Sequence, residues 1–164
     1  MDSNKAYNTE KNSYYYDSPI GRIFIAESGG AITDVGFHPI EGSNKKETPL
    51  IKQTTVMLQE YFDGKRKDFN LPLSPKGTDF QKKAWAALCS IPYGQTRSYK
   101  EQAIAVGNEK ACRAVGGANG KNPISIIIPC HRVIGTGNKL TGYGGGLAIK
   151  KALLELESRG ACHI

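Results

Sequence analysis

The sequence predicts an α+β protein in two parts, a small antiparallel sheet with one helix followed by a mostly helical domain with a helix-turn-helix. Short β-branched and aromatic runs separated by turn sequences fill the first part. Two capping-box pairs open helices in the second. The charge changes between the parts as well: residues 1–80 carry a net charge of −1 and residues 81–164 carry +8.

The N-terminal part is expected to be a three-stranded meander followed by a helix. Its strands are predicted at residues 13–16, 22–26 and 31–37, and the intervening segments contain the Pro and Gly residues of turns. Thr48 followed by Pro49 is typical of a helix start, and Gly64 ends that helix. The Pro/Gly-rich segment 71–77 predicts a linker, so we place a domain boundary after residue 74. The expected domains are 1–74 and 75–164.

The C-terminal part is expected to contain a helix-turn-helix. Thr78 with Gln81 and Ser98 with Glu101 are capping-box pairs, and Asn108 is expected to cap a further helix over residues 109–118. That last helix carries mostly Ala and Gly, with Arg113 as its large side chain, so it lacks the several base-reading side chains that major-groove helices use. It suits a close approach to a minor groove. Tight helix packing is the alternative interpretation of its small residues.

A Cys-His pair follows the segment 125–128, which is expected to be a buried strand or extended segment because residues 126–128 are all isoleucine. Pro129 marks the end of regular structure, so Cys130 stands at the end of a rigid element. His131 could serve as the base that raises the thiolate fraction. An imidazole needs a partner that fixes its tautomer, and Asn122 and Glu157 are the candidates, the latter on a helix predicted over residues 147–157. A buried structural cysteine beside a surface histidine is the alternative.

The composition argues against a membrane-spanning, secreted or disulfide-rich protein and favours one with a polyanionic partner. The sequence has no apolar run of about 18 residues and no apolar signal segment at its N-terminus, so we expect a cytosolic or nuclear protein without a membrane span. Of the two locations we predict the cytoplasmic one. Its four cysteines have neither metal-type nor disulfide-type spacing, and Cys89 and Cys112 are expected to be packing residues. The basic C-terminal half predicts a polyanionic partner, and a basic surface that serves only solubility is the alternative.

Several motifs in the same order resemble the O6-alkylguanine-DNA alkyltransferases, also called methylated-DNA–protein cysteine methyltransferases. The resemblance is strong over about residues 78–160 and looser before them. The motifs that carry it are Pro-Cys-His-Arg-Val at 129–133, Arg-Ala-Val-Gly at 113–116, Asn-Pro at 122–123, Ile-Pro-Tyr-Gly at 91–94, Ser-Tyr at 98–99 and Gly-Gly-Leu at 145–147. The resemblance implies a ribonuclease H-like N-terminal domain and a winged-helix-like C-terminal domain.

The resemblance also implies roles for the candidate catalytic residues. Cys130 would accept the alkyl group from O6-alkylguanine, and from O4-alkylthymine, in DNA. His131 would act as its base through water, with Glu157 orienting the imidazole, while Asn122 would stabilise the active-site turn. Tyr99 would donate a hydrogen bond to guanine N3. The product is a thioether that nothing nearby could hydrolyse, so each molecule would act once, without a cofactor.

DNA contacts follow from the same resemblance. The protein would bind alkylated double-stranded DNA through the minor groove as a monomer, and flip the damaged base out of the stack. Arg113 would fill the vacated position, and the other expected DNA-binding residues are Ala111, Ala114, Gly116 and Ser98. The base pocket would be formed by Val133, Tyr143, Gly144 and Ser125.

Two features of this chain depart from some relatives. Gly144 stands where some carry a hydroxyl side chain and Ser125 where some carry proline, which leaves the preference among alkyl groups open. The N-terminal half contains no Cys and only His38, so the zinc site of some relatives is not expected and no metal is predicted.

Three other functions remain as alternatives. A helix-turn-helix regulator with an incidental cysteine would bind undamaged DNA in a sequence-specific way and keep that binding after Cys130→Ala. A thiol hydrolase would turn over small esters repeatedly, and a damage sensor would bind without transferring a group.

Overall fold

The computed structural model describes residues 10–161. The N-terminal residues 1–9, and Cys162 and His163 near the other end, lie outside the described residues. Within that range the chain forms an antiparallel sheet with one helix and then a helical part, as the sequence predicts.

The N-terminal sheet has four strands in the spatial order β3-β2-β1-β4. The meander β1-β2-β3 is antiparallel, which confirms the prediction, and the short β4 pairs parallel to β1 at the edge. Its strands are β1 Asn12–Ser18, β2 Gly21–Ser28, β3 Ala31–Gly36 and β4 Asn44–Lys45. The sequence did not predict β4, because two polar residues carry no strand pattern.

Helix α1, Pro49–Phe62, packs its apolar face on this sheet. Thr48 caps it by accepting a hydrogen bond from the Ile51 backbone, as the Thr-Pro start predicts. Leu58 and Tyr61 of this helix are fully buried, and the Tyr61 ring packs against Phe69 and Tyr93. Helix α1 thereby carries Tyr61 into the interior between the two parts of the chain.

The C-terminal part consists of α2 Asp79–Cys89, α3 Tyr99–Ala105, α4 Cys112–Gly120 and α5 Leu147–Ala161. Both predicted capping boxes are present, Thr78 with Gln81 and Ser98 with Glu101. Helices α3 and α4 form the helix-turn-helix. The two-residue strands β5 Arg97–Ser98 and β6 Val133–Ile134 pair in parallel beside it.

Three local predictions were wrong. The last helix of the helix-turn-helix begins at Cys112 without a side-chain cap, because Asn108 closes a preceding turn in which its side chain accepts from the Lys110 backbone. Residues 125–128 are a compact turn rather than a strand, and Ile126 has a φ of 72°. Cys89 is exposed at the end of α2, because Leu88 takes the buried position next to it.

One hydrophobic core spans both parts of the chain. It joins strand and helix residues of the N-terminal part to residues around Cys130 and to Leu153 of α5. A smaller cluster of alanines and Val115 packs α2, α3 and α4 together. Across residues 10–161, no helix combines the length and apolar character needed to cross a bilayer.

Candidate active site

The turn that leads to Cys130 is held by the side chain of Asn122. Its amide nitrogen donates to the Ile128 carbonyl at 2.8 Å, and its oxygen accepts from the Ile124 backbone at 3.0 Å. These two bonds close the segment between Ile124 and Ile128, where Ile126 adopts a left-handed backbone. Such a conformation costs a β-branched residue about 1–3 kcal/mol and persists only where the surroundings impose it.

Strand β3 of the N-terminal sheet supports the same turn. The Val35 amide donates to the Pro123 carbonyl at 2.9 Å, and the Ser125 amide donates to the Val35 carbonyl at 2.8 Å. The edge of the sheet therefore fixes the backbone seven to five residues before Cys130. The N-terminal part thus helps to place the thiol, although it contributes no nucleophile.

Cys130 begins a single 3-10 turn, Cys130–Arg132. On a strand, the neighbouring side chains of Cys130 and His131 would point to opposite faces. The 3-10 turn removes this constraint, so both can serve one site. All three residues of the turn are buried, and His131 is completely so. The expectation of a surface histidine beside a structural cysteine is thereby excluded.

The carboxylate of Glu157, on α5, is the centre of a buried polar network with five hydrogen bonds. His131 Nε2 lies 2.6 Å from Oε2, and Arg132 donates through Nε at 2.8 Å and Nη2 at 3.1 Å. The Tyr61 hydroxyl donates to Oε2 at 2.6 Å and the Gly94 backbone to Oε1 at 3.2 Å. This network connects α5, the 3-10 turn and helix α1.

The protonation states within the network follow from these contacts. Burial alone would raise the pKa of Glu157. Hydrogen bonds from His131 and Arg132, the charge of Arg132 and, at the acid pH where Glu157 titrates, the charge of protonated His131 lower it to about 2. Burial lowers the pKa of His131, although Glu157 opposes the change, so the imidazole is neutral at pH 7. An ionised carboxylate only accepts, so the imidazole hydrogen is assigned to Nε2. Nδ1 is then the basic atom, and it has no hydrogen-bond partner among residues 10–161.

The thiol of Cys130 is a weak acid in this setting. Burial raises its pKa above 9.0, while the Asn122 amide and the charge of Lys150 lower it. Asn122 keeps its well-formed hydrogen bond for Ile128, so we attribute to it only a minor effect on the sulfur. Lys150 is fully buried, and its ammonium donates to the Thr141 carbonyl at 2.7 Å. At pH 7 the sulfur is mostly a thiol, and its attack on a substrate needs a base.

Cys130 opens into a cavity of about 280 Å³ between α4 and the glycine-rich loop before α5. The residues that line it are Tyr99, Gly116, Asn119, Gly120, Cys130, Gly142, Tyr143 and Gly144. The structure therefore brings together five of the residues selected from sequence. Asn122, His131 and Glu157 lie outside this lining, and Val133, fully buried, and Ser125 do not line it either. Burial raises the pKa of Tyr143 well above 10, so its hydroxyl stays protonated.

Some of the residues expected to bind DNA are accessible on α4, and others are buried or serve as helix caps. Arg113 and Ala114 are exposed on α4, and Gly116 is half-buried under the Tyr99 ring. Ala111 is buried in the cluster that packs the helices, so its side chain has little surface to offer. Ser98 is half-buried and caps α3 with its hydroxyl. The hydroxyl of Tyr99, a residue of the cavity lining, lies 2.9 Å from that of Thr141.

Sequence reasoning gave no role to Tyr61, Arg132 or Lys150. The position of Lys150 offered a signal, because it shares one face of α5 with Leu153 and Glu157, where a buried lysine is unusual. Nothing in the sequence connects Tyr61 with a carboxylate 96 residues away. In the described range, residues 10–161, no group of three or more His, Cys, Asp or Glu side chains could hold a metal ion.

Comparisons with known proteins show which family this chain resembles over most of its length. Residues 79–159 match the family model described as the DNA-binding domain of 6-O-methylguanine DNA methyltransferase, and residues 13–75 match its ribonuclease-like domain. The methylated-DNA–protein-cysteine methyltransferase of Methanosarcina mazei is 57% identical over 154 residues, covering 88% of this chain and 96% of the relative. The Methanosarcina barkeri protein of the same name is 49% identical, covering 87% and 96%.

Solved structures show the same similarity. The O6-methylguanine methyltransferase of Mycobacterium tuberculosis superimposes with a TM-score of 0.85 at 43% identity, covering 94% of this chain and 96% of that one. A crystal structure of the Mycobacterium tuberculosis protein in complex with DNA gives a TM-score of 0.85 at 45% identity, covering 91% and 94%.

Proposed function

The chain belongs to the 6-O-methylguanine DNA methyltransferase family, and from this we propose that it transfers the alkyl group of O6-alkylguanine in DNA to Cys130. It is an enzyme of the methylated-DNA–protein-cysteine methyltransferase class and a DNA-binding protein. The observation that carries the proposal is that the buried Cys130 thiol lines a cavity and is followed directly by His131, which is hydrogen-bonded to Glu157.

The proposed transfer is a displacement at the alkyl carbon. The Cys130 sulfur forms a bond to that carbon as the bond between the carbon and guanine O6 breaks, and the electron pair goes to the purine. The proton of the thiol passes through a water to Nδ1 of His131, which is the free basic atom of a neutral imidazole. Glu157 then stabilises the imidazolium, as an ionised carboxylate at 2.6 Å from Nε2 can.

The groups around the cavity support the departure of guanine. We assign to Tyr99 a hydrogen bond to guanine N3, which requires its hydroxyl to exchange its present partner Thr141 for the base. Tyr143 and the Gly144 amide would lie near O6, and the carbonyls of Cys130 and Val133 would accept from the exocyclic amine. Ser125 supports this pocket from the turn behind it rather than from its wall.

DNA would reach the cavity through the minor groove. A buried thiol cannot meet a base inside a duplex, so the damaged nucleotide must be flipped out. Arg113 is exposed on α4 and is the side chain that we expect to fill the vacated stack, while Ala114 and Gly116 let the helix approach closely. Ser98 and Ala111 would contribute through their backbone at the ends of their helices.

The product would be a thioether on Cys130, so each molecule would repair one lesion without a cofactor. We extend the substrate class to O4-alkylthymine, which offers the same leaving oxygen. We also propose that the protein works as a cytoplasmic monomer, and that its domains divide at residues 74 and 75.

The direct test is to treat the protein with an oligonucleotide that contains O6-methylguanine and map the peptides by mass spectrometry. One added methyl on the Cys130 peptide is expected, with Cys89 and Cys112 unmodified as internal controls, since both are free thiols outside the cavity. Methylation of another residue, or an unmodified Cys130 after full exposure, would refute the proposal.

A further inference from the structure

Two buried side-chain amides form a closed pair of hydrogen bonds next to the Cys130 cavity. Gln102 on α3 donates to the Asn119 oxygen at 2.8 Å, and Asn119 on α4 donates to the Gln102 oxygen at 2.7 Å. Gln102 is 2% exposed and Asn119 9%. Gln102 also donates to the Ala84 carbonyl at 3.2 Å, which fixes it against α2.

Asn119 lies in the wall of the cavity. Helix α4 contributes Gly116, Asn119 and Gly120 to the lining, and positions three and four apart share one face of a helix. Because both glycines lack a side chain, Asn119 is the one residue of this helix face that has a side chain to offer to the wall.

Gln102 determines where that amide points. The pair uses one donor and one acceptor of Asn119, and the third bond of Gln102 prevents the two from moving together. Gln102 does not line the cavity, so it acts through Asn119.

The fixed amide makes this part of the wall polar. An Asn side chain has two N–H donors, and only one of those of Asn119 goes to Gln102. Water in the cavity can satisfy the second donor while a small substituent is bound. A large apolar substituent would cover it and leave it without a partner, which is unfavourable.

We propose that Asn119 is a specificity-determining residue of the Cys130 cavity and that Gln102 is its positioning residue, together favouring methyl over large apolar substituents such as benzyl. This inference rests on the proposed function, because it assigns the substituent preference of the same site.

The test compares rates of Cys130 alkylation by two oligonucleotides that differ only in carrying O6-methylguanine or O6-benzylguanine. The measured quantity is the benzyl-to-methyl rate ratio in the wild type and in Q102L, Q102L/N119L and V115A. Replacing both amides with leucine leaves neither member of the pair without its partner and removes only the longer bond to the Ala84 carbonyl, so the effect on stability should be small. Val115 is the control, because it is buried in the same helix but does not line the cavity.

The double variant is expected to raise the rate ratio about tenfold, the effect of one buried polar group that no longer needs a partner. Q102L alone should raise it about threefold, because it frees Asn119 to turn away from the wall. V115A should leave the ratio unchanged even where it lowers stability. If the pair had only a structural role, Q102L would lose stability because Asn119 is left without its partner, while the rate ratio would stay at the wild-type value in every variant.

An unchanged ratio in the double variant, or an equal shift in V115A, would overturn the specificity role. An unchanged ratio in Q102L beside a shifted double variant would overturn the positioning role. Failure of the proposed function looks different, because the wild type would then transfer neither group to Cys130.

Discussion

Replacement of Glu157 by glutamine tests the network behind the site. The exchange keeps the shape of the side chain but removes its charge, and it places an NH₂ group among five hydrogen-bond donors. Arg132, which is 7% exposed, would lose the anionic partner of its two hydrogen bonds. Leaving one member of a buried ion pair uncompensated costs about 3–5 kcal/mol.

The pKa of Glu157 gives a second measure of the same effect. A value of about 2 in the fold, against an ordinary value of 4.5, corresponds to about 3 kcal/mol in favour of the ionised side chain. Because the pKa is lower in the fold, this stabilisation is present above pH 4.5 and is lost as the pH falls toward about 2. At acid pH the wild type carries a protonated Glu157, so the two proteins should become similar.

The assay is urea unfolding followed by the fluorescence of Trp85, the single tryptophan, which is 2% exposed. At pH 7, E157Q should unfold with a free energy about 3 kcal/mol lower than the wild type. The matched control is E155Q on the same helix, where the exposed side chain lies 4.0 Å from Lys151 and should matter by less than about 0.5 kcal/mol. A loss below about 1 kcal/mol in E157Q, or a loss that is the same at pH 7 and at pH 3, would refute this account.

Three further predictions concern the transfer reaction and DNA binding. Arg113→Ala should slow repair of a duplex far more than reaction with a free O6-alkylguanine base. The control Lys110→Ala, at an exposed neighbouring position, should change both rates equally, and an equal loss of both rates in R113A would contradict the flipping role. Affinity for DNA, measured by fluorescence anisotropy, should fall linearly with the logarithm of salt concentration, and salt-independent binding would exclude the basic half as the docking face. The transfer rate should be level above pH 6.5 and fall below it as His131 gains a proton, because burial lowers its pKa; a rate that climbs steadily up to pH 9 would instead indicate attack by free thiolate without a base.

Local sequence patterns were sufficient for the elements that depend on local chemistry. The meander follows from turn residues between β-branched runs, and the starts of α1, α2 and α3 follow from caps such as Ser98 with Glu101. A sequence-based prediction was wrong where a neighbouring backbone amide took the hydrogen bond that the cap would have accepted. Asn108 is a residue type that often caps helices. Its side-chain oxygen instead closes a turn with the Lys110 amide, and the N-cap position of the helix is three residues later, at Ala111.

The site could be predicted in part, because its motif is short and its support is distant. Cys130, His131 and Asn122 lie within a segment of ten residues, so the sequence alone could suggest that they act together. Tyr61 is brought to Glu157 by the packing of α1 against the second part of the chain, and strand β3 supports the turn through backbone atoms that any residue would supply. The isoleucine run 126–128 also gives no sign that one of its residues has a left-handed backbone, since β-branched side chains disfavour that conformation.

The central claim is that Cys130 takes the alkyl group and keeps it. It is tested most directly by mixing a known amount of protein with an excess of methylated duplex and counting the lesions removed after the reaction stops. The account predicts one lesion per molecule, with the thiol at position 130 no longer open to titration. Removal of many lesions per molecule, or a free thiol at that position afterwards, would contradict it.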